Sequence, residues 1–294
     1  MTVRKAVIPA AGLGTRMLPA TKSQPKEMIP IVDKPGIQYT VEEAVRAGIE
    51  DILIITSRNK GTLEDHFDRS LELEYQLERT GKTQYLELVR GIPDLADFHY
   101  VRQKEPLGFG HAVLTARNHV GDDPFVVMVP NEIVPEPVND EASLLGRMVD
   151  FYDREEASSI AVQEVLPELA SSYGIVDVEE VKDGFGLLRD MVEKPPVDQA
   201  PSNLAARGRY VFSPQIFDAI ERTSAGVGGE IQLTDAIRVL AQESSVYAYV
   251  HEGPILDVGR TVEYVTATIE LALARDDVGP QLTEYLKKIS SKLA

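Results

Sequence analysis

The chain has 294 residues, of which 43% are hydrophobic, so it is long enough to bury a large core as one domain or two small ones. It has no cysteine, which excludes disulfides and thiolate metal sites, and no apolar run approaches the roughly 20 residues of a membrane span. Its net charge of −17 disfavours nucleic acid and anionic membranes as partners. The first residues read as a short strand that runs into a glycine loop, so we expect no signal peptide and a cytoplasmic location.

The charge is distributed unevenly along the chain. Residues 1–34 have a net charge of +4, whereas the remaining residues have −21. A chance excess of basic residues on a solvated face is one explanation. Since these basic residues interleave with glycines, we favour a local site for a small polyanion.

Apolar patterns predict alternating strands and helices. The predicted strands, several of them continuous apolar runs typical of strands buried on both faces, are at 5–9, 51–56, 100–102, 125–129, 159–165, 175–178, 209–212 and 246–250. Helical stripes are predicted at 37–45, at 63–75, after Pro214 and at 262–273, with loops at 135–138 and 195–202. This alternation indicates an α/β fold with a largely parallel sheet.

The first predicted strand leads directly into a glycine loop, AGLGTR, at residues 11–16. Glycines allow the backbone to fold tightly, so that consecutive N–H groups point at phosphate oxygens. Arg16 adds a planar fork suited to phosphate, and Lys26 adds a compact positive charge. A Gly-x-Gly pair is also common in ordinary turns. The loop lacks the Gly-Lys-Ser/Thr of a Walker loop and the third glycine of the dinucleotide fingerprint.

A longer string around this loop is specific. Residues 8–28, IPAAGLGTRMLPATKSQPKEM, resemble the signature of bacterial UTP–glucose-1-phosphate uridylyltransferases (UDP-glucose pyrophosphorylases). The resemblance continues in collinear order through IVDKPGIQY (31–39), VRQKEPLGFGHAV (101–113), VEKP (192–195), APSNLAARGRYV (200–211) and GGEIQLTDAI (228–237). It implies one Rossmann-like nucleotidyltransferase domain over residues 1–294, with a mixed, mostly parallel central sheet flanked by helices. Sugar-binding insertions are expected within about residues 160–235, followed by a helical C-terminal end.

The resemblance also implies the reaction and its partners. A sugar phosphate, glucose 1-phosphate, attacks the α-phosphorus of UTP, and pyrophosphate leaves. Because the substrate phosphate is the nucleophile, the protein needs positioning and charge neutralisation rather than a nucleophilic side chain. The sequence is consistent with this requirement, since it offers basic groups, glycines and carboxylates and no convincing catalytic triad. Relatives of this kind are generally oligomers, so a homo-oligomer is expected.

By resemblance, residues of the first half of the chain bind the nucleotide. Ala11 and Gly12 are expected against the nucleoside, whereas Gly14, Thr15 and Arg16 cradle the triphosphate and Lys26 neutralises charge near the transferred phosphorus. Gln103 is expected to read the uracil edge, because an amide both donates and accepts, and Gly108 to let the backbone approach the base. A surface turn is the alternative for Gln103.

The second half of the chain is expected to bind the sugar. By resemblance, Glu193 accepts hydrogen bonds from sugar hydroxyls and Lys194 holds the glucose phosphate, which makes Lys194 catalytic together with Arg16 and Lys26. Further positions that resemble sugar contacts of the family are Tyr173, Gly174, Asn203, Gly208 and Glu230. For Glu230, stabilisation of the first turn of the following helix is nearly as good an explanation.

The metal site departs from the family's pattern. Members place an aspartate after the strand at 125–129, but here the residue is Asn131, while the second metal-binding aspartate is retained as Asp257. Oxygen ligands suit the expected cofactor, Mg²⁺, but an amide removes one negative charge. Glu132 follows directly and is expected to point away from the site. A second departure precedes Tyr264, where this chain has Glu263 and relatives have a glycine.

Three functions therefore remain open. The first is uridylyl transfer to glucose 1-phosphate. The second is a binding or regulatory protein that holds UTP or UDP-glucose and turns over poorly because of Asn131. The third is a sister enzyme such as a thymidylyltransferase, against which the strings at 18–28 and 228–237 argue. The histidines show no spacing that suggests a metal site.

Overall fold

The computed structural model describes residues 2–135 and 142–293, so most of the loop predicted at 135–138 lies outside the described residues. The described strands are β1 (Lys5–Pro9), β2 (Pro30–Ile31), β3 (Lys34–Pro35), β4 (Asp51–Thr56), β5 (Asp97–Arg102), β6 (Phe125–Met128), β7 (Glu132–Ile133), β8 (Ser158–Glu164), β9 (Gly174–Val178), β10 (Phe185–Glu193), β11 (Leu204–Phe212), β12 (Val246–Val250) and β13 (Leu256–Asp257). The described α-helices are α1 (Gly36–Arg46), α2 (Gly61–Phe67), α3 (Leu71–Arg79), α4 (Thr83–Gly91), α5 (Phe109–Leu114), α6 (Arg117–Val120), α7 (Leu144–Glu155), α8 (Gln215–Arg222), α9 (Leu233–Ala241), α10 (Thr261–Leu273) and α11 (Gly279–Leu293).

Nine of these strands form the central sheet, in the order β5-β4-β1-β6-β11-β8-β12-β10-β9. The pairings of β1 with β4 and β6, of β4 with β5 and of β8 with β12 are parallel, and every pairing of β10 or β11 is antiparallel. Seven of the nine strands therefore run in one direction. The expected mixed, mostly parallel sheet is confirmed.

The core lies on both faces of this sheet. Val7 and Leu53 pack toward α5, α8 and α9, whereas Ala6, Ile8 and Ile54 pack toward α1 and α7. Successive strand residues point to opposite faces, so a strand covered by helices on both sides must be apolar at every position. This explains why β1 and β4 read as continuous apolar runs rather than alternating ones.

A buried ion pair ties α1 to the middle of the sheet. Arg209 in β11 is 1% exposed, and its guanidinium contacts the carboxylate of Glu43 in α1, with Nη2 2.6 Å from Oε2. The same guanidinium donates to the carbonyls of Val129, Gly208 and Glu132, so its remaining N–H groups have acceptors. Such a pair is stable when buried because its hydrogen bonds are satisfied.

One helix prediction needs correction and another is confirmed. The stripe at 63–75 is not one helix: α2 ends at Phe67, and α3 begins after Ser70. Asp68 between them is extended, which turns Leu71 and Tyr75 outward, and their exposed fractions are 67% and 66%. The stripe at 262–273 is helical as predicted, and Val262, Val265 and Leu273 of this stripe are exposed. No helix in the described ranges is long and apolar enough to cross a membrane.

Candidate active site

The carboxyl ends of β1, β4, β5 and β6 meet at one edge of the sheet, where α/β folds bind ligands. After β1, the glycine loop turns at Gly14, which has a left-handed φ of 67°. A Cβ atom on Gly14 would lie 3.1 Å from the Cβ of Lys26, so the loop packs directly against this lysine. Thr21 Oγ1 donates to the Gly14 carbonyl at 2.8 Å and holds the turn. Arg16 is exposed and forms no ion pair with any other described residue.

Lys26 lies beside a buried ion pair that is formed by the next residue, Glu27. Glu27 is buried, and its carboxylate is 2.8 Å from Nζ of Lys60, itself 6% exposed. Burial lowers the pKa of Lys60, and the neighbouring Glu27 opposes that shift. With Glu27 anchored to Lys60, Lys26 Nζ donates to Oδ1 of Asn131 at 3.3 Å. Sequence reasoning missed both residues, because Glu27 was only one letter of the string at 8–28 and Lys60 lies outside every string of the resemblance.

Asn131 and Asp257, expected as the metal pair, lie side by side. The short strands β7 and β13 pair antiparallel with Asp257 opposite Glu132, and Val258 N–H donates to the Asn131 carbonyl at 2.9 Å. A Cβ atom on Gly259 would lie 3.0 Å from Oδ1 of Asp257 and 3.3 Å from Nδ2 of Asn131. The pair offers a carboxylate and an amide oxygen, and Mg²⁺ favours such oxygen ligands together with substrate phosphates. These donors therefore fit the expected ion.

Glu132 points away from this pair, as expected. It is 7% exposed, and its Oε2 accepts a hydrogen bond from the Gly208 N–H at 2.5 Å. Its other oxygen is 3.1 Å from Nε of Arg207, whose guanidinium lies 5.4 Å from the ring centroid of Tyr173. Burial raises the pKa of Tyr173. A Cβ on Gly208 would lie 2.5 Å from the Cβ of Val129, so β11 can approach β6 here only with glycine.

Gln103 and Gly108, expected to bind the base, are in contact. Gln103 Nε2 donates to the Gly108 carbonyl at 3.2 Å and lies 3.0 Å from Nδ1 of His111. Gly108 has a φ of 110°, and a Cβ there would be 2.7 Å from the Ile231 carbonyl oxygen. Two backbone hydrogen bonds of 2.8 Å, from Ile231 N–H to Leu107 and from Gly110 N–H to Ile231, join this loop to the segment before α9.

Four residues expected at the sugar meet at the end of β10. Glu193 pairs with Gly174 across the sheet, and the Lys194 N–H donates to the Tyr173 carbonyl at 2.9 Å. Lys194 has a left-handed φ of 44°, and its Nζ is 2.9 Å from Oε1 of Glu193, so both side chains turn to the same side. Thr234 Oγ1 donates to the other Glu193 oxygen at 2.5 Å. Sequence reasoning missed Thr234 and Arg207, which contact the expected sugar residues. Both lie inside segments that resemble the family, at 228–237 and 200–211.

The two remaining sugar candidates lie outside this group; Asn203 is half-buried and Glu230 is exposed. Asn203 Nδ2 donates to Oε1 of Glu164 at 2.6 Å, at the surface. Glu230 lies three residues before the first residue of α9, and its carboxylate is 3.5 Å from Nε2 of Gln232. Both stay predictions.

The parallel strands of the sheet lead to a glycine loop, basic side chains and a pair of oxygen ligands. This arrangement is typical of enzymes that act on nucleoside phosphates. The sequence model of the family described as Nucleotidyl transferase matches residues 5–273, so the protein is of this class.

Individual relatives show which family of nucleotidyl transferases the chain resembles. The UTP–glucose-1-phosphate uridylyltransferase of Bacillus subtilis (strain 168) is 51% identical over 290 residues, which cover 99% of this chain and 98% of the relative. A UTP-bound UGPase from Acinetobacter baumannii has a TM-score of 0.89 at 41% identity, covering 97% of this chain and 98% of that one. A UDP-glucose pyrophosphorylase complexed with UDP-glucose has a TM-score of 0.85 at 42% identity, covering 93% and 100%. The chain belongs to the UTP–glucose-1-phosphate uridylyltransferase family, which confirms the resemblance seen in residues 8–28.

Proposed function

We propose that the protein transfers the uridylyl group of UTP to glucose 1-phosphate, giving UDP-glucose and pyrophosphate. The relatives' names support this substrate pair, and structures of similar proteins hold UTP or UDP-glucose. The observation that carries the proposal is the meeting of Gly14, Lys26, Asn131 and Asp257 at one edge of the sheet. A glycine loop and a basic group beside oxygen ligands are what transfer of a nucleoside phosphate requires.

In this reaction an oxygen of the glucose phosphate forms a bond to the α-phosphorus of UTP. The bond from that phosphorus to the bridging oxygen breaks, and pyrophosphate leaves with the bonding electrons. We assign the triphosphate to Gly14, Thr15 and Arg16, and the charge that develops at the α-phosphorus to Lys26. Because these groups are positioned before the substrates react, they stabilise the transition state without reorganising.

The base and the sugar are assigned to opposite sides of this centre. The nucleoside is assigned to Ala11 and Gly12, and uracil to Gln103. On the sugar side, Glu193 accepts hydroxyl groups, with Tyr173, Gly174, Asn203, Gly208 and Glu230 assigned around the ring. Lys194 uses one of its three N–H groups for Glu193, which leaves donors for the glucose phosphate.

We assign Mg²⁺ to Asp257 and Asn131. When bound, the ion supplies positive charge beside the phosphates of UTP. In this chain one ligand is a neutral amide, so Asp257 supplies the negative charge of the pair, and more of the neutralisation falls on Arg16 and Lys26. The second candidate function is a protein that binds UTP or UDP-glucose and turns over poorly. Asn131 favours it, because an amide removes one negative charge from the metal site.

Pyrophosphate release tests the function directly. The protein is incubated with Mg²⁺, one of several nucleoside triphosphates and one of several sugar 1-phosphates. We expect the fastest release with UTP and glucose 1-phosphate. Faster release with dTTP would instead make the protein a thymidylyltransferase. Tight UTP binding without turnover with any sugar would make it a binding protein.

We also propose that the protein self-associates and acts in the cytoplasm. Support for self-association comes from α10, where Val262 and Val265 are 74% and 49% exposed. An exposed apolar stripe on a helix is a typical subunit contact. The exposed leucines of α3 and α4 form a second candidate face.

A further inference from the structure

Three metal-ligating side chains lie together at the opposite edge of the sheet from the glycine loop. Asp51 is the first residue of β4, His99 is in β5 and His119 is in α6. One ligand atom from each lies within 4.8 Å of the other two. Nε2 of His119 is 2.8 Å from Oδ1 of Asp51, Nε2 of His99 is 3.8 Å from the same oxygen, and the two imidazole centroids are 4.6 Å apart.

The fold brings these residues together although the sequence separates them. In the parallel register, Asp51 lies opposite Asp97 and Leu53 opposite His99, so Asp51 and His99 point to the same face of the sheet. That face carries Ala116 and Val120, which flank His119 and are buried in the core. Sequence spacing showed no metal pattern because each ligand comes from a different element.

The cluster is independent of the active site. From His99 to Gln103, β5 and its continuation extend over about 13 Å. None of the three residues is assigned to either substrate.

We propose that Asp51, His99 and His119 bind a divalent transition-metal ion such as Zn²⁺. Imidazole nitrogens with one carboxylate are typical ligands of zinc and its neighbours, whereas Mg²⁺ prefers oxygen. Ligands around a tetrahedral Zn²⁺ are about 3.4 Å apart, given bond lengths of about 2.0–2.2 Å. The distances from Asp51 Oδ1 to the two imidazole nitrogens, 2.8 and 3.8 Å, lie on either side of this value, and the side chain of His99 is 51% exposed. Water completes the coordination from the open side.

The surroundings accept a cation. The neighbouring ammonium group, Lys5 Nζ, is paired with Asp123 at 2.8 Å and donates to the carbonyls of His119 and Val120. Its charge is therefore balanced, and it fixes the end of α6 that carries His119. By contrast, His66 and His111 bond to the neutral amides of Gln38 and Gln103. Among the described residues, no other group of three or more His, Asp or Glu side chains converges in this way.

Calorimetric titration of the full chain with ZnCl₂ in excess Mg²⁺ tests the proposal. We expect one Zn²⁺ per chain and a rise in the thermal unfolding midpoint, because the ion binds the folded state. His119→Ala and His99→Gln should each weaken binding by about tenfold or more and remove the thermal shift. His99→Gln is the safer variant for folding, since His99 is the most exposed of the three.

Two controls locate the ion. Glu180→Gln removes an exposed carboxylate between β9 and β10, at the other end of the sheet from β4 and β5, and Asp257→Asn removes the carboxylate of the active site; neither should change Zn²⁺ affinity by more than about twofold. The proposal is overturned if no Zn²⁺ binds, if both histidine variants bind as well as the original protein, or if binding is lost in Asp257→Asn and kept in His99→Gln.

Discussion

Asn131 is a single amide placed between a lysine and an aspartate that both serve the proposed reaction. Its oxygen accepts from Lys26, and its nitrogen lies beside the Gly259–Asp257 turn. We expect Asn131→Asp to raise turnover at saturating substrates by about 10-fold or more and to lower the Mg²⁺ concentration needed for half activity. A second carboxylate would balance the ion before the substrate phosphates arrive.

A magnesium titration of the pyrophosphate-release rate measures this effect. The free energy of unfolding should change little, because aspartate has the same shape as asparagine. Equal rates and equal magnesium dependence in both forms would show that Asn131 is not a metal position.

Arg16 and Lys26 are expected to act on the triphosphate. Arg16→Ala and Lys26→Ala should each weaken UTP binding or lower turnover by about 10-fold or more, since each loses a charge-assisted contact. Calorimetry with UTP and steady-state kinetics measure both quantities. Lys182→Ala, on an exposed hairpin, is the matched control and should change neither. If both site variants match this control, the triphosphate lies elsewhere.

Lys194 is expected to act on the other substrate. Lys194→Ala should raise the KM for glucose 1-phosphate and leave the Kd for UTP unchanged, because its Nζ lies beside Glu193 at the proposed sugar side. Kinetics with each substrate varied in turn separate the two effects. A collapse of UTP affinity with unaltered sugar dependence would reverse the assignment.

At the scale of elements, the join between the 107–110 loop and the segment before α9 depends on two closely packed glycines, Gly108 and Gly110. Gly108→Ala would place a Cβ 2.7 Å from both the Glu230 Cβ and the Ile231 oxygen, at a φ of 110°. We expect a loss of about 1–3 kcal/mol in the free energy of unfolding and weaker UTP binding. Urea unfolding compares it with Gly91→Ala, which meets no atom within 4 Å at an ordinary φ and should be nearly neutral. Equal stability of the two variants would contradict the close approach.

Elements with strong periodicity were predictable, and those fixed by distant partners were not. The strands that became β1, β4 and β12 were predicted with their observed bounds, because buried strands must be apolar throughout. β10 was not predicted, and the two-residue pairing of β7 with β13 leaves no local pattern. The candidate site was assembled by family resemblance, whereas its supports, such as Lys60 and Thr234, depend on contacts between segments far apart in sequence.

At the scale of the whole molecule, the exposed stripe of α10 predicts that the protein is an oligomer in solution. The chain has a mass of 32.4 kDa, and light scattering should give a multiple of it. Val265→Asp should shift the protein toward the monomer, because a charge would be buried in the contact. Val181→Asp, at an exposed valine in a hairpin, is the control. A monomer mass across a wide concentration range would remove the prediction.

The bridge between Leu107, Gly110 and Ile231 has a mechanical consequence. Its two backbone hydrogen bonds link the loop that contacts Gln103 to the segment that carries Glu230. Separating them would cost about 1–3 kcal/mol, at about 0.5–1.5 kcal/mol for each bond. The two segments are therefore expected to move together rather than separately. Under the roles proposed above, a movement of the loop beside Gln103 is transmitted to the segment of Glu230 through these two hydrogen bonds.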